Sequence, residues 1–206
     1  MKLMKSTIAI LGLLCSAAGA SAGDGETLSF GRAFADTNCA WCHGPSGQGY
    51  ATAPKLAGQR SQYLENQLLS FKVHSRDNPF SQQYMWPAAA TVDTQEAHDL
   101  AAYFSALCPE AARDGDSHLV AAGEALYRGG SPASNIPSCV ACHGPNAEGI
   151  SAIPRLAGQS YYYLKRKLAQ WGEGYHAAAA RPMPGIASKL SENEIEALAS
   201  YLSFAK

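Results

Sequence analysis

The chain has 206 residues, of which 47% are hydrophobic and 16% charged, with a formal net charge of −1. That length admits one large domain or two small ones, and the apolar share is enough for packed cores. The low charge density excludes long solvated tails, and the near-neutral balance offers no basic footprint for nucleic acid.

Met1 to Ala22 reads as a cleaved secretory signal peptide. Lys2 and Lys5 form the positive region, Ile8 to Leu14 the apolar core, and Ala20-Ser21-Ala22 the small-x-small cleavage site, so Gly23 is the predicted first mature residue. The apolar run is shorter than the roughly 20 residues that span a bilayer, which argues against an uncleaved anchor. Cys15 is a poor lipid-attachment site because Leu14 stands where a small residue is wanted. The mature chain keeps 14 basic and 17 acidic residues. They are unevenly placed: residues 23–112 hold five basic and nine acidic, residues 113–206 nine and eight. Such a dipolar protein can be oriented by a charged partner.

In chain order, a short helix is predicted over Phe30–Thr37, followed by Cys39-Ala-Trp-Cys-His43-Gly-Pro and Pro54-Lys-Leu-Ala-Gly-Gln59. Apolar residues at helical spacing (Tyr63, Leu64, Leu68, Phe71) predict a helix over Ser61–Lys72. Met85-Trp-Pro87 lies on a loop, and Asp93-Thr-Gln-Glu96 starts a last helix. Cys108 to Ser117 is a polar linker containing Pro and Gly. The pattern then repeats. A helix is predicted over Leu119–Arg128, then an insertion over Gly129–Pro137, Cys139-Val-Ala-Cys-His143-Gly-Pro and Pro154-Arg-Leu-Ala-Gly-Gln159. A helix over Ser160–Trp171, Met183-Pro184 and the capping box Ser191-Glu-Asn-Glu194 complete it. The offset is 100 residues up to Tyr163-Leu164 and 98 from Met183 onward. No run alternates over strand length. The expectation is an all-α chain of two tandem copies of one domain, at 23–107 and 118–206, with 108–117 as linker.

Cys-x-x-Cys-His is the attachment signature of c-type haem. Two cysteines three apart reach the two vinyl groups of one porphyrin, and the next residue then sits beneath the iron. Cys39, Cys42, Cys139 and Cys142 are the candidate thioether residues, and His43 and His143 the candidate proximal ligands. One such motif also fits a redox dithiol or half a zinc site. A joint four-cysteine zinc site leaves both histidines unexplained. Two covalently bound haem c groups are therefore expected.

Four methionines are present, and Met1 and Met4 leave with the leader. Met85 and Met183 fall in register, 42 and 40 residues after their histidines, each beside a proline. They are the candidate distal ligands. His/Met ligation fills both axial positions and favours a relatively high potential, which points to electron transfer rather than catalysis. His74 and His176 are the rival distal ligands, while His98 and His118 have no counterpart in the other half. The loops of Pro54 and Pro154 are candidates to accept the second N–H of each proximal histidine. Tyr63 and Tyr163 suit either a haem propionate or the helix core. Trp41 against Ala141 makes the two haem surroundings unequal.

The doubled Cys-x-x-Cys-His-Gly-Pro, the doubled Pro-x-Leu-Ala-Gly-Gln with Tyr-Leu, and the paired methionines resemble the dihaem cytochrome c4 family over essentially the whole mature chain. The resemblance implies two class I cytochrome c domains facing each other across a pseudo-twofold interface. It implies Cys39, Cys42, His43 and Met85 for one haem and Cys139, Cys142, His143 and Met183 for the other. It also implies a periplasmic electron carrier, often membrane-associated, between a quinol-oxidising complex and a terminal oxidase. The alternative is a dihaem oxidoreductase, a peroxidase or sulfur-compound dehydrogenase, which needs an open or unusually ligated iron.

Overall fold

The computed structural model describes residues 22–50, 52–176 and 181–206, so the expected leader lies, except for Ala22, outside the described residues. The described residues form helices α1 (Ala22–Asn38), α2 (Ala40–His43), α3 (Ser61–Lys72), α4 (Trp86–Ala89) and α5 (Thr94–Ala106) in the first half. The second half contributes α6 (Val120–Gly129), α7 (Val140–His143), α8 (Tyr161–Gly172), α9 (Met183–Ala187) and α10 (Glu192–Phe204). Among these residues the only β contacts are the isolated bridges Ser131–Ile136 and Ile150–Ile153. The all-α expectation holds.

Local sequence explains most boundaries. At the start of α5 the Asp93 side chain accepts from the Glu96 N–H while the Glu96 carboxylate accepts from the Asp93 N–H; Ser191 and Glu194 do the same for α10. Both capping boxes satisfy backbone donors that a helix start leaves free. α1 begins well before Phe30. Gly23 and Gly25 lower helix propensity there, but no proline interrupts 22–38.

Each half closes by crossing its first helix over its last. At Gly31 an added Cβ would lie 2.3 Å from the Asp99 carbonyl oxygen, and at Gly123 only 2.0 Å from that of Ala197. Only glycine lets α1 approach α5, and α6 approach α10, this closely. Each half has its own core. Ala35, Leu64, Val92, Leu100 and Phe104 form the first; Tyr127, Leu164, Leu168, Leu198 and Leu202 form the second. Burying each such leucine contributes about 2 kcal/mol.

The second half departs from the first at the insertion. Eight more residues separate Gly123 from Cys139 than separate Gly31 from Cys39. They fold as a tight turn: Ser131 and Ile136 exchange backbone hydrogen bonds at 2.9 Å, and Asn135 takes the left-handed conformation (φ 52°) that asparagine tolerates. The segment 108–117 is pinned rather than loose. Arg113 N–H donates to the Ser203 carbonyl, and Asp116 N–H to Ser200 Oγ. At its other end Gln48 Nε2 donates to the Cys108 carbonyl at 2.9 Å.

Candidate functional site

The two Cys-x-x-Cys-His motifs each fold as one helical turn, α2 and α7, with the first cysteine as its N-cap. His43 N–H donates to the Cys39 carbonyl at 3.0 Å and His143 N–H to that of Cys139 at 2.9 Å. This turn brings both cysteines and the histidine to one edge. Cys42 and Cys142 are exposed, Cys39 and Cys139 half-buried, and the four form no disulfide. Burial, with Cys42 adjacent, pushes the Cys39 thiol up to about 11.

Both imidazoles are buried, and each places Nδ1 against the proline carbonyl eleven residues on: His43 to Pro54 at 2.9 Å, His143 to Pro154 at 3.0 Å. A carbonyl oxygen only accepts, so Nδ1 carries the proton and Nε2 keeps its lone pair for a metal. Burial lowers both histidine pKa values, outweighing the proline hydrogen bonds, and so keeps the rings neutral. A neutral, oriented imidazole is the ligating form. The acceptors are held by backbone bonds: Leu56 and Ala57 N–H both donate to the Gly47 carbonyl, as Leu156 and Ala157 do to Ala147.

Met85 and Met183 are both half-buried and stand at equivalent places, immediately ahead of or opening the short helices α4 and α9. Their approaches differ. A π-helical turn over Ser81–Met85, which sequence patterning did not signal, leads into the first; residues 177–180, ahead of the second, lie outside the described residues.

The histidines considered as rivals have other places. His74 is exposed and stacks on Trp86 with ring centroids 3.9 Å apart. His176 is buried with both ring nitrogens engaged by the first half. Its Nδ1 lies 3.0 Å from the Asp77 N–H and 3.2 Å from Asp77 Oδ1, and its Nε2 lies 2.8 Å from Asn78 Nδ2. His98 and His118 are exposed, His98 with Glu65 Oε2 at 3.3 Å.

Where the halves meet, polar side chains are buried in number. Arg76 donates to Gln67 Oε1 at 2.7 Å and to the Tyr163 hydroxyl at 2.9 Å. Tyr63 is close by, its pKa raised first by burial and then by Tyr163. The Arg166 guanidinium lies 4.0 Å over the Phe80 ring and donates to the Thr52 carbonyl. Lys167 has its Nζ 4.9 Å from the Trp171 ring centre, and burial pushes its pKa down to about 6. Among the described residues, four buried donor atoms here have no hydrogen-bond partner: Arg76 Nε, Arg166 Nη1, Lys167 Nζ and Trp171 Nε1. Buried donors are ordinarily paired, and a buried cation without an anion is costly. A haem carries two propionate carboxylates, the acceptors this set lacks. With the cysteine pair and the oriented imidazole of each half, the residues fit two haem groups.

Arg76, Arg166, Lys167 and Trp171 were not legible as site residues, since nothing in their local sequence sets them apart from a solvated helix face. Gln59 and Gln159 stand out in the sequence only as members of the repeated motif. Each reaches the other half. Gln159 Oε1 accepts from the Lys55 N–H at 2.8 Å and its Nε2 donates to the Lys55 carbonyl at 3.0 Å. Gln59 does the same to Arg155, at 2.7 and 2.9 Å. Their retention at a strict offset of 100, flanked by a doubled Ala-Gly, was the available signal.

A family model for cytochrome c matches the chain twice, over residues 29–107 and 120–206. The cytochrome c4 of Azotobacter vinelandii is 37% identical, with 95% of this chain and 93% of that protein covered. The thiosulfate dehydrogenase electron acceptor of Stutzerimonas stutzeri strain A1501 is also 37% identical, over 89% of this chain and 87% of that one. A solved cytochrome c4 structure from Acidithiobacillus ferrooxidans superposes with a TM-score of 0.76 at 35% identity, covering 82% of this chain and 99% of that one.

Proposed function

We propose a route for electrons through a chain that belongs to the cytochrome c family, in its two-domain cytochrome c4 form with two covalently bound haem c groups. The domains are taken as 23–107 and 118–206, joined through 108–117. Cys39 and Cys42 hold one haem and Cys139 and Cys142 the other, with His43 and Met85, and His143 and Met183, as axial ligands. When bound, each haem supplies the one-electron couple of its iron. The protein's part is to fix ligands and shut out competing chemistry. His43 and His143 are locked in the ligating tautomer by Pro54 and Pro154. The engagement of both His176 ring nitrogens by Asp77 and Asn78 supports methionine over histidine on the distal side. Arg76, Arg166, Lys167 and Trp171 hold the propionates at the domain face.

The single observation carrying this reading is the pair of matched histidine–proline bonds, each beside an attachment motif. Filled axial positions leave no site for substrate, so the chain carries electrons rather than acting as an enzyme. The leader at 1–22 directs it to the periplasm, and no helix among the described residues is long and apolar enough to cross a membrane. Peripheral association with the membrane would bring it to a quinol-oxidising complex as donor and a terminal oxidase as acceptor. The relative named as electron acceptor of thiosulfate dehydrogenase favours a second donor, an enzyme oxidising an inorganic sulfur compound. Carbon monoxide added to the fully reduced protein tests the carrier reading. No change in the visible spectrum is expected; prompt binding at either haem would open a distal site and put the oxidoreductase reading first.

A further inference from the structure

We infer that each domain tunes the proximal histidine of the other, through Gln59 and Gln159. The inference rests on His43 and His143 being the iron's ligands. The peptide unit joining Pro54 to Lys55 has two partners. Its carbonyl faces His43 Nδ1 at 2.9 Å, and its N–H donates to Oε1 of Gln159, from the opposite half, at 2.8 Å. The peptide unit joining Pro154 to Arg155 is the counterpart, between His143 at 3.0 Å and Gln59 Oε1 at 2.7 Å.

The carboxamide orientation is forced. Lys55 and Arg155 N–H only donate, and their carbonyls only accept, so oxygen and nitrogen of each glutamine have one placement. Each Oε1 also accepts from a neighbouring N–H, Ser160 for Gln159 and Arg60 for Gln59, which locks the side chain. Both glutamines are buried. An amide whose N–H is hydrogen-bonded has a more negative oxygen, because chained hydrogen bonds polarise one another. Pro54 O is therefore a stronger acceptor for His43 when Gln159 is in place. A stronger acceptor gives the imidazole more anionic character and makes it a stronger donor to iron, which stabilises the oxidised state and lowers the potential.

Gln59 and Gln159 are thus positioning residues, and their signature is crossed. In Gln159→Leu the first haem's potential rises while the second stays. In Gln59→Leu the second rises while the first stays. The readouts are spectroelectrochemical titration of both haems and the ring Nδ1–H proton shifts of His43 and His143 in the fully reduced holoprotein. The expected result is an upfield move of the His43 proton alone in Gln159→Leu, and of the His143 proton alone in Gln59→Leu. Gln159→Glu keeps an oxygen facing the Lys55 N–H, so it retains the wild-type His43 shift or moves it downfield. Equal changes at both haems in either leucine variant would mean a general loosening of the interface and would overturn the inference. So would a change confined to the variant's own half, an unmoved His43 proton, or failure of Gln159→Glu to hold it. A wild-type protein in which neither imidazole feels a haem ring current overturns the ligand reading, and the tuning with it. Ring-current-shifted imidazoles with no crossed response overturn the tuning alone.

Discussion

On the histidine side the two halves are near copies. The imidazole–proline distances differ by only a tenth of an ångström, and the same pair of N–H groups braces each acceptor loop. At the face where the halves meet, equivalent positions have diverged. Gln67 stands where the second half has Lys167, on the equivalent helices α3 and α8. Arg76 and Gln67 bond each other, while His176 turns to Asp77 and Asn78 and Lys167 Nζ has no hydrogen-bond partner among the described residues. Holding a metal ligand tolerates little variation, because tautomer and ring orientation both depend on one bond. Pairing the polar groups buried at this face tolerates several solutions, so here the two halves differ most.

The largest expected effect breaks the copies apart. Changing Cys39 and Cys42 together to serine removes covalent haem from the first half alone, and changing Cys139 and Cys142 removes it from the second. Covalent haem per chain, measured after denaturation, then falls by about half in either case. Total loss from one pair would show that one half cannot mature without the other. Next come the helix crossings. Gly31→Leu and Gly123→Leu force side chains into backbone carbonyls, and each costs about 2–3 kcal/mol in denaturant unfolding. The Gly123 variant is the more damaged, because its crossing is the tighter.

The divergent face predicts a difference in acid response. Burial, then the nearby Lys167 and Arg76 cations, depress the His176 pKa from 6.5 to about 3, with Asp77 opposing. The unfolded chain therefore binds a proton that the folded chain refuses. Stability from this group is complete above pH 6.5 and is lost as pH falls toward 3. His176→Gln should flatten the melting temperature across that window, whereas Arg76→Gln, which removes one of the cations depressing the His176 pKa, should reduce the slope only in part. An unchanged slope in His176→Gln would place the acid response elsewhere. The smallest effects are at the capping boxes, where Asp93→Ala and Ser191→Ala each cost about 1 kcal/mol. Equal losses in thermal unfolding would confirm that these helix starts have not diverged.

What the sequence made legible was local or periodic. The capping boxes, the helix over Ser61–Lys72 and the proline-bearing acceptor loops each depend on residues a few positions apart, and all stand in the structure. The π-helical turn before Met85 was not legible, because π geometry leaves no strong residue pattern. Gln59, Gln159, Arg76 and Lys167 are not legible for a different reason. Their neighbours lie in the other half, Arg155 for Gln59, Lys55 for Gln159, Tyr163 for Arg76, and Arg76 and Asp77 for Lys167, so nothing within each one's own segment marks it. His176 is a rival ligand in the sequence because it is a histidine near the expected distal methionine, and only the partners Asp77 and Asn78 reveal its other engagement.

The reciprocity of the glutamine contacts has a consequence for descent. Gln59 meets Arg155 as Gln159 meets Lys55; this i-to-j, j-to-i pairing is how an isologous homodimer is built. A single-domain ancestor would have met its own twin through the same glutamine, and any mutation there would have struck both sides at once. Fusing the two genes ended that constraint. A change can then be tried in one copy while the other holds the pair together, and the difference between Gln67 and Lys167 is of that kind.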